Sequence, residues 1–328
     1  MTAPERILVR APNWLGDVVL SLPALRDLAR SFPRARLEVL ARPAVAELYG
    51  AVAEVHGARL AAGTRADAAA VRGAFDLGVL FTNSFGSALA LRLGGVPERW
   101  GYATEVRGPL LTRRARVPAA VRGRSQVYYY RAMLAGLGLR VSAEPDASLA
   151  APAHWREAAL RLLGSGPWVG LNPGAAYGAA KRWPAARFAA TGDALAERTG
   201  ARVVVLGTAS ERPLADAVAA AMRHPARVLA GETRLSELVG VLSHLQLLVT
   251  NDSGPMHVAS ALGTPVVAVF GPTDERETAP AGPGRKRIAR EPVPCAPCGL
   301  RACPIDHACM RRVSAEGVAA LALELLAS

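Results

Sequence analysis

The sequence predicts an α/β protein made of two doubly wound, Rossmann-like units that face each other across a cleft. Three observations carry that expectation. The chain has 328 residues, long for a single hydrophobic core. Short apolar runs alternate with longer helical ones, the pattern of a parallel sheet covered on both faces. The alternation breaks near residue 145, in the Pro- and Ala-rich "SAEPDASLAAPAHW", and restarts at 167. Two domains, 1–150 and 151–328, are therefore expected.

In the first half, "RILVRAP" (6–12), "RLEVLAR" (36–42), "DLGVLF" (76–81) and "RWGYA" (99–103) read as strands. Between them, "LSLPALRDLARSF" (20–32) and "SFGSALALRLGG" (84–95) have helical spacing and end at Pro or Gly. That stretch, 142–155, reads as a linker or connecting helix. The second half repeats the alternation: "PWVGLNPG" (167–174), helix 184–198, "RVVVLGT" (202–208), helix 210–222, "RVLAG" (227–231) and helix 234–243. It continues through "LQLLVTND" (245–252), helix 255–262 and "PVVAVFGP" (265–272), and ends in helix 314–326. Ligands of open parallel sheets bind beyond the carboxyl ends of the strands, so the loops that leave those ends are where chemistry is expected.

The net charge is +12, and only Lys181 and Lys286 among the 39 basic residues are lysines. Residues 92–131 hold nine Arg against two acids, Glu98 and Glu105. Such a surface suits an anionic partner: nucleic acid, acidic lipid or a phosphorylated substrate. Aromatic interleaving is slight apart from "YYY" (128–130), so a stacking platform for single strands is not expected. Glu5 and Arg6 fall where the apolar core of a signal peptide would begin, and no run approaches about 20 apolar residues. A cytoplasmic protein is the expectation.

Four constellations carry chemistry. In "VTNDSGPMHVASALGTPVVAVFGPTD" (249–274) a buried strand ends in Asn251-Asp252-Ser253-Gly254 and a helix begins at once. Unpaired N–H groups and the helix dipole attract phosphate there, Gly254 allows close approach, and His257 lies one turn further in. The bland alternative is a capped helix with a packed histidine. The small-residue loop "NPGAAYGAAKRWP" (172–184) ends in Lys181, the point charge one would place on a pyrophosphate. In "APNWLGDVVLSLP" (11–23) the carboxylate of Asp17 follows Gly16 directly after the first strand, as either a helix cap or a catalytic base. Finally, Cys295, Cys298, Cys303 and Cys309 have the spacing C-x2-C-x4-C-x5-C with His307 among them. They are a candidate structural zinc set, against the alternative of reduced cysteines in a packed loop. No G-x-G-x-x-G follows any strand, which argues against a dehydrogenase.

The "GD-V-SLPAL" entry, the "NPGA…AKRWP" loop, "NDSGPMHVASALGTPVVAVFGPTD" and "CAPCGLRACPIDHAC" together resemble glycosyltransferase family nine, the bacterial lipopolysaccharide heptosyltransferases. The similarity runs through nearly the whole chain, and "AKRW" with the cysteine cluster looks most like the second-heptose type. Members of the first-heptose type tend to carry hydroxyl residues where this chain has Ala176 and Tyr177. The resemblance implies a GT-B fold, with the acceptor on the N-terminal half and ADP-heptose on the C-terminal half, and inversion at the anomeric carbon. By position it implies that Asp17 is the base and Lys181 a diphosphate ligand. Asp252, Ser253, Gly254 and His257 would line the donor pocket, with Glu211 on the nucleotide ribose. Arg113 and Arg114, in the basic window, are expected to meet the phosphates of the lipid A-linked core acceptor, and the same surface to touch the inner leaflet of the inner membrane. No cofactor is expected and no DxD metal motif is evident. The alternatives are a first-heptose transferase, a nucleotide-sugar epimerase of the same fold, or a basic zinc-ribbon protein that binds nucleic acid.

Overall fold

The computed structural model describes residues 3–327. The chain divides into two compact units, the first ending at Ala147 and the second beginning at Ser148.

The first unit has six parallel strands: β1 (Arg6–Arg10), β2 (Arg36–Ala41), β3 (Gly57–Leu60), β4 (Leu77–Leu80), β5 (Glu98–Tyr102) and β6 (Arg113–Ala115), in the order β3-β2-β1-β4-β5-β6. The second has β7 (Trp168–Asn172), β8 (Arg202–Val205), β9 (Ala226–Val228), β10 (Leu247–Asn251), β11 (Val266–Val269) and β12 (Lys286–Ala289), in the order β12-β11-β10-β7-β8-β9. Every pairing is parallel. Each sheet therefore starts at its middle and winds outward in both directions. The order reverses between β1 and β4 in one unit and between β7 and β10 in the other. At such a switch point the flanking connections leave on opposite faces of the sheet and open a crevice at the carboxyl edge.

The central strands match the apolar runs seen in the sequence, because burial on both faces demands continuous apolar residues. The three strands with no such run, β3, β6 and β12, are all at sheet edges. Their sequences, "GARL", "RRA" and "KRIA", are short and charged, as edges that must stay in water tend to be. The first helix spans Leu15–Ser31, starting five residues before the expected 20. Val18 and Val19 are fully buried, so packing against the sheet outweighs the weak helix preference of Gly16 and the two valines. Asp17 consequently lies inside the first turn and not at the cap, which is Trp14.

Helix Gln126–Gly136, which contains the "YYY" tract, packs on the first helix. A buried carboxylate fastens the two: Asp27 accepts from Arg131 Nε at 2.9 Å, from the Ser142 N–H at 2.9 Å and from Arg30 at 2.5 Å. Burial opposes ionisation of Asp27, but these three donors outweigh it and hold its carboxyl below the ordinary range.

In the second unit the apolar core gathers Val169, Leu171, Phe188, Val203, Val249 and Val267, and the terminal helix Ala315–Ala327 adds Val318, Ala322 and Leu325. The connection after 147 becomes helix Ala153–Leu163, which crosses helix Leu235–His244 at Gly240. There a Cβ would stand 2.2 Å from the carbonyl oxygen of Trp155. Backbone cannot retreat as a flexible side chain can, so Gly240→Ala should destabilise this unit by about 1–3 kcal/mol. A thermal melt showing a drop of several degrees would bear this out, and an unchanged midpoint would contradict it.

Candidate active site

The second switch point carries a connected set of buried polar side chains. Loop 172–184 leaves β7, and Asn251-Asp252-Ser253 leave β10 into helix Gly254–Ala261. Asn251 joins the two loops. Its Nδ2 donates to the carbonyls of Pro173 (2.7 Å) and Gly174 (3.3 Å), and its Oδ1 accepts from the Trp183 N–H (3.0 Å). Trp183 is itself anchored edge-on to Phe188, with ring centroids 5.0 Å apart, and donates its indole N–H to Val313 O at 3.1 Å. Lys181 is thereby carried inward, where its Nζ meets Asp252 Oδ2 at 2.5 Å.

That ion pair is buried: the two side chains are 11% and 5% exposed. Asp252 Oδ2 also accepts from Thr273 Oγ1 at 2.6 Å, which brings in the loop after β11. The Lys181 ammonium lies 4.9 Å from the Tyr177 ring centroid, an additional cation–π contact. An ammonium has three donors, so its bond to Asp252 leaves capacity for an anion. Ser253 occupies the N-cap without a capping bond of its own, and its Oγ lies 3.1 Å from Asn172 Nδ2 and 3.0 Å from Thr250 Oγ1. The first-turn N–H groups of the following helix thus present a positive end to the same loops.

His257 is buried one turn into that helix. Burial pushes its imidazole down to about 4; Asp252 opposes the shift, while Lys181 and Lys286 reinforce it. It is therefore a neutral ring at physiological pH, and among the described residues its Nδ1 has no hydrogen-bond partner. Lys286, on the edge strand β12, donates to Pro280 O at 2.5 Å.

Glu211 ends a short 3-10 turn, Ala209–Glu211, after β8. Its Oε2 accepts from the Thr208 N–H and hydroxyl, each at 2.9 Å, closing a capping box. The same carboxylate lies so close to Gly174 that a Cβ there would be 2.3 Å from it. A side chain at 174 would push the Glu211 carboxylate out of this position. Of the residues expected from sequence in this half, Lys181, Asp252, Ser253, Gly254 and His257 are brought together at one switch point, with Glu211 against the same Lys181 loop.

The cysteine segment docks on the Lys181 loop. Ala180 N donates to Arg301 O at 3.0 Å, the Tyr177 hydroxyl donates to Gly299 O at 2.8 Å, and His307 Nε2 lies 2.6 Å from Ala180 O. All four cysteines are unpaired, ranging from exposed Cys295 and Cys298 to buried Cys309. They line a cavity of about 80 Å³ with apolar neighbours including Leu300 and Ile305. Among the described residues no group of three or more His, Cys, Asp or Glu side chains is placed to hold a metal ion. The segment clamps the Lys181 loop through backbone carbonyls and His307, while Cys295, Cys298, Cys303 and Cys309 gather around one small cavity.

In the first unit, half-buried Asp17 projects from the first helical turn after β1, beside the switch point. The phenol of buried Tyr130 is held well above its ordinary range by burial and then by the charge of Asp17, which places the two in one electrostatic neighbourhood. Arg113 and Arg114 are elsewhere, on edge strand β6. Arg113 stacks 4.5 Å over the Trp100 ring and donates to Leu137 O at 3.3 Å, whereas Arg114 is exposed. Two other arginines of the basic window, Arg107 and Arg131, are buried and structural. No helix among the described residues is long and apolar enough to cross a membrane.

The family model for glycosyltransferase family 9 (heptosyltransferase) matches residues 66–309, from within the first unit through the whole cysteine cluster. The chain belongs to glycosyltransferase family 9. It is 32% identical over 301 residues to lipopolysaccharide heptosyltransferase 2 of Escherichia coli K12, covering 84% of this chain and 85% of that protein. Lipooligosaccharide heptosyltransferase 2 of Haemophilus influenzae is 29% identical over 298 residues, with the same shares covered. Among solved structures, E. coli ADP-heptose lipopolysaccharide heptosyltransferase II superposes with a TM-score of 0.85 at 28% identity, over 98% of each chain. The fold is the GT-B type and the chain is a glycosyltransferase enzyme.

Within that enzyme, sequence reasoning missed the residues that hold the loops in place: Asn172, Thr250, Thr273 and Trp183. The signal available was a polar residue at the last position of an otherwise apolar strand, as at Asn172 and Asn251. The neutral state of His257 has a measurable consequence. The unfolded chain protonates this histidine near 6.5, and the folded glycosyltransferase only near 4. Between those values the unfolded state binds more protons, so stability falls as the pH drops through that window. Denaturation midpoints of wild type and His257→Gln should therefore converge as pH is lowered from 6.5 to 4; two parallel curves would refute the assignment.

Proposed function

We propose that this glycosyltransferase moves L-glycero-D-manno-heptose from ADP-heptose onto the first heptose of the lipopolysaccharide inner core, with inversion. The observation that carries the reading is the buried Lys181–Asp252 pair at the β7/β10 switch point, beside an uncapped helix N-terminus. Its similarity to heptosyltransferase 2 proteins supplies the sugar and the acceptor.

The diphosphate of the donor takes the Lys181 ammonium, the Ser253 hydroxyl and the first N–H groups of helix Gly254–Ala261. Glu211, against the same loop, receives the ribose hydroxyls. The acceptor hydroxyl oxygen forms a bond to the anomeric carbon as the bond from that carbon to the β-phosphate oxygen breaks. The electron pair stays on ADP, where Lys181 and the helix N-terminus meet the growing charge. The hydroxyl proton passes to Asp17. A carboxylate in a helix's first turn is kept ionised by the dipole, and it serves best if the proton leaves late in bond formation. Asp252 holds Lys181, and His257, kept neutral by its burial, packs beside the sugar as a hydrogen-bonding ring. Exposed Arg114, with Arg116, Arg122 and Arg124, faces the phosphates of the core acceptor and the acidic cytoplasmic leaflet, while Arg113 serves the fold.

The test is transfer from ADP-heptose to purified core acceptors bearing zero, one or two heptoses. Product is expected from the one-heptose acceptor. Product from the zero-heptose acceptor alone would make this the first-heptose enzyme, and sugar isomerised without acceptor would make it an epimerase. In the same assay Asp17→Asn should lower kcat by about 10²–10⁴ while ADP affinity holds. A fall of less than tenfold would remove Asp17 from the chemistry.

A further inference from the structure

The switch point of the first unit carries its own polar constellation, which the proton transfer to Asp17 does not use. Asn83 follows β4, Thr104 follows β5, and Tyr129 comes from helix Gln126–Gly136. The Tyr129 hydroxyl oxygen lies 2.8 Å from Asn83 Nδ2 and 3.0 Å from Asn83 Oδ1. Thr104 Oγ1 donates to Asn83 Oδ1 at 3.2 Å. All three side chains are half-buried. Together they gather an amide and two hydroxyls in one place, every one of them neutral and several able both to donate and to accept.

A buried cation holds this group in position. Arg107 is fully buried, and its Nε donates to Tyr102 O at 2.8 Å while Nη1 donates to Thr82 O. These carbonyls belong to the ends of the two strands that present Thr104 and Asn83. Among the described residues Arg107 makes no ion pair, and its Nη2 has no hydrogen-bond partner. Burial brings its guanidinium down to about 10, against the opposing charges of Tyr129 and Glu105. The loop that Arg107 ties down is also strained, since Glu105 and Val106 both adopt positive φ (48° and 58°). A fold tolerates a desolvated cation and two left-handed non-glycine residues only where the surroundings over-determine them.

Aromatic rings pack against the polar group. The Tyr129 ring packs 4.7 Å from Tyr102 and 5.5 Å from Tyr130, whose phenol feels the charge of Asp17. Trp14, in the loop after β1, and Phe85, after β4, are 53% and 45% exposed. Neutral donors and acceptors packed against rings, in the unit whose first strand leads to Asp17, match a ligand with apolar C–H faces and adjacent hydroxyls.

We infer that Asn83, Thr104 and Tyr129 form the recognition site for the hydroxyls of the acceptor sugar, with Arg107 as the positioning residue that fixes its two loops. The inference rests on the transferase reading given above and deepens it. It also separates two tasks on the acceptor: the neutral trio reads the sugar, and the exposed arginines read its phosphates. The polyol hydroxyls displace the Tyr129–Asn83 contact and reuse the same partners.

The test uses the full-length chain with Tyr129→Phe and Thr104→Val, which keep shape and ring packing, and Asn83→Ala. Saturation-transfer NMR with a heptose-terminated core glycoside, in the absence of donor, reads binding by itself. Steady-state kinetics with ADP-heptose then divide acceptor from donor. Wild type should bind the glycoside, and each variant should weaken binding and raise acceptor KM about three- to tenfold, with donor KM within twofold. A shift in donor KM of the same size as in acceptor KM, or unchanged glycoside binding in all three variants, would overturn the assignment. Glycoside binding that depends on the trio, in a protein that transfers no heptose, would keep this site and refute the transferase reading. Transfer with acceptor KM unchanged in the variants would do the reverse.

Discussion

The buried contact between Lys181 and Asp252 is the interaction on which the C-terminal site depends. Two charges taken out of water cost several kcal/mol each unless their geometry and further hydrogen bonds offset the loss. Here the offset comes from Thr273 on Asp252 and the Tyr177 ring beside Lys181. Losing either partner would leave a desolvated charge, so the loops after β7, β10 and β11 must close together. Asn251 enforces that closure through backbone groups of the Lys181 loop, and the cysteine segment clamps the loop from outside. Such an arrangement is costly as mere stabilisation. As a preorganised cation beside a helix N-terminus it needs little reorganisation when an anionic leaving group forms.

Both units solve the same topological problem and fill the solution differently. Winding a parallel sheet outward from its centre leaves a crevice where the strand order reverses. In the second unit that crevice holds a Lys–Asp pair and an uncapped helix, features directed at phosphate. The first unit offers a carboxylate, an amide, hydroxyls and aromatic rings, the set proposed above to meet a sugar. One fold rule thus yields two chemically distinct openings, and the choice lies in the few residues after each strand. Arg107 and Asp27 show how the first unit supports its opening: each is a buried charge that ties loops or helices through several hydrogen bonds.

Much of this was readable from the chain. The central strands announced themselves because burial on both faces requires unbroken apolar runs. Lys181 and the Asp252-Ser253-Gly254 turn stood out because few residue types suit an anion at a strand's carboxyl end. The edge strands β3, β6 and β12 did not, since an exposed edge selects charge over apolar pattern. For the same reason the stacking of Arg113, on edge strand β6, against Trp100 left no sign in the basic run. Asn83 and Tyr129 were invisible as a pair because 46 residues separate them and neither sits in a motif. The docking of the cysteine segment on the Lys181 loop was not legible either, since it runs mainly through backbone carbonyls, which leave no mark on side-chain identity.

By itself, then, the sequence determined the fold class and brought forward the residues that gather at the β7/β10 switch point. Those follow from hydrophobic period and from local chemistry, both carried by neighbours along the chain. Only the tertiary structure decided that His257 is neutral, that Asp17 lies inside a helix and not at its cap, and that an amide and two hydroxyls from distant segments converge. Protonation state and convergence depend on desolvation and on contacts between distant segments, which exist only once the sheets have closed.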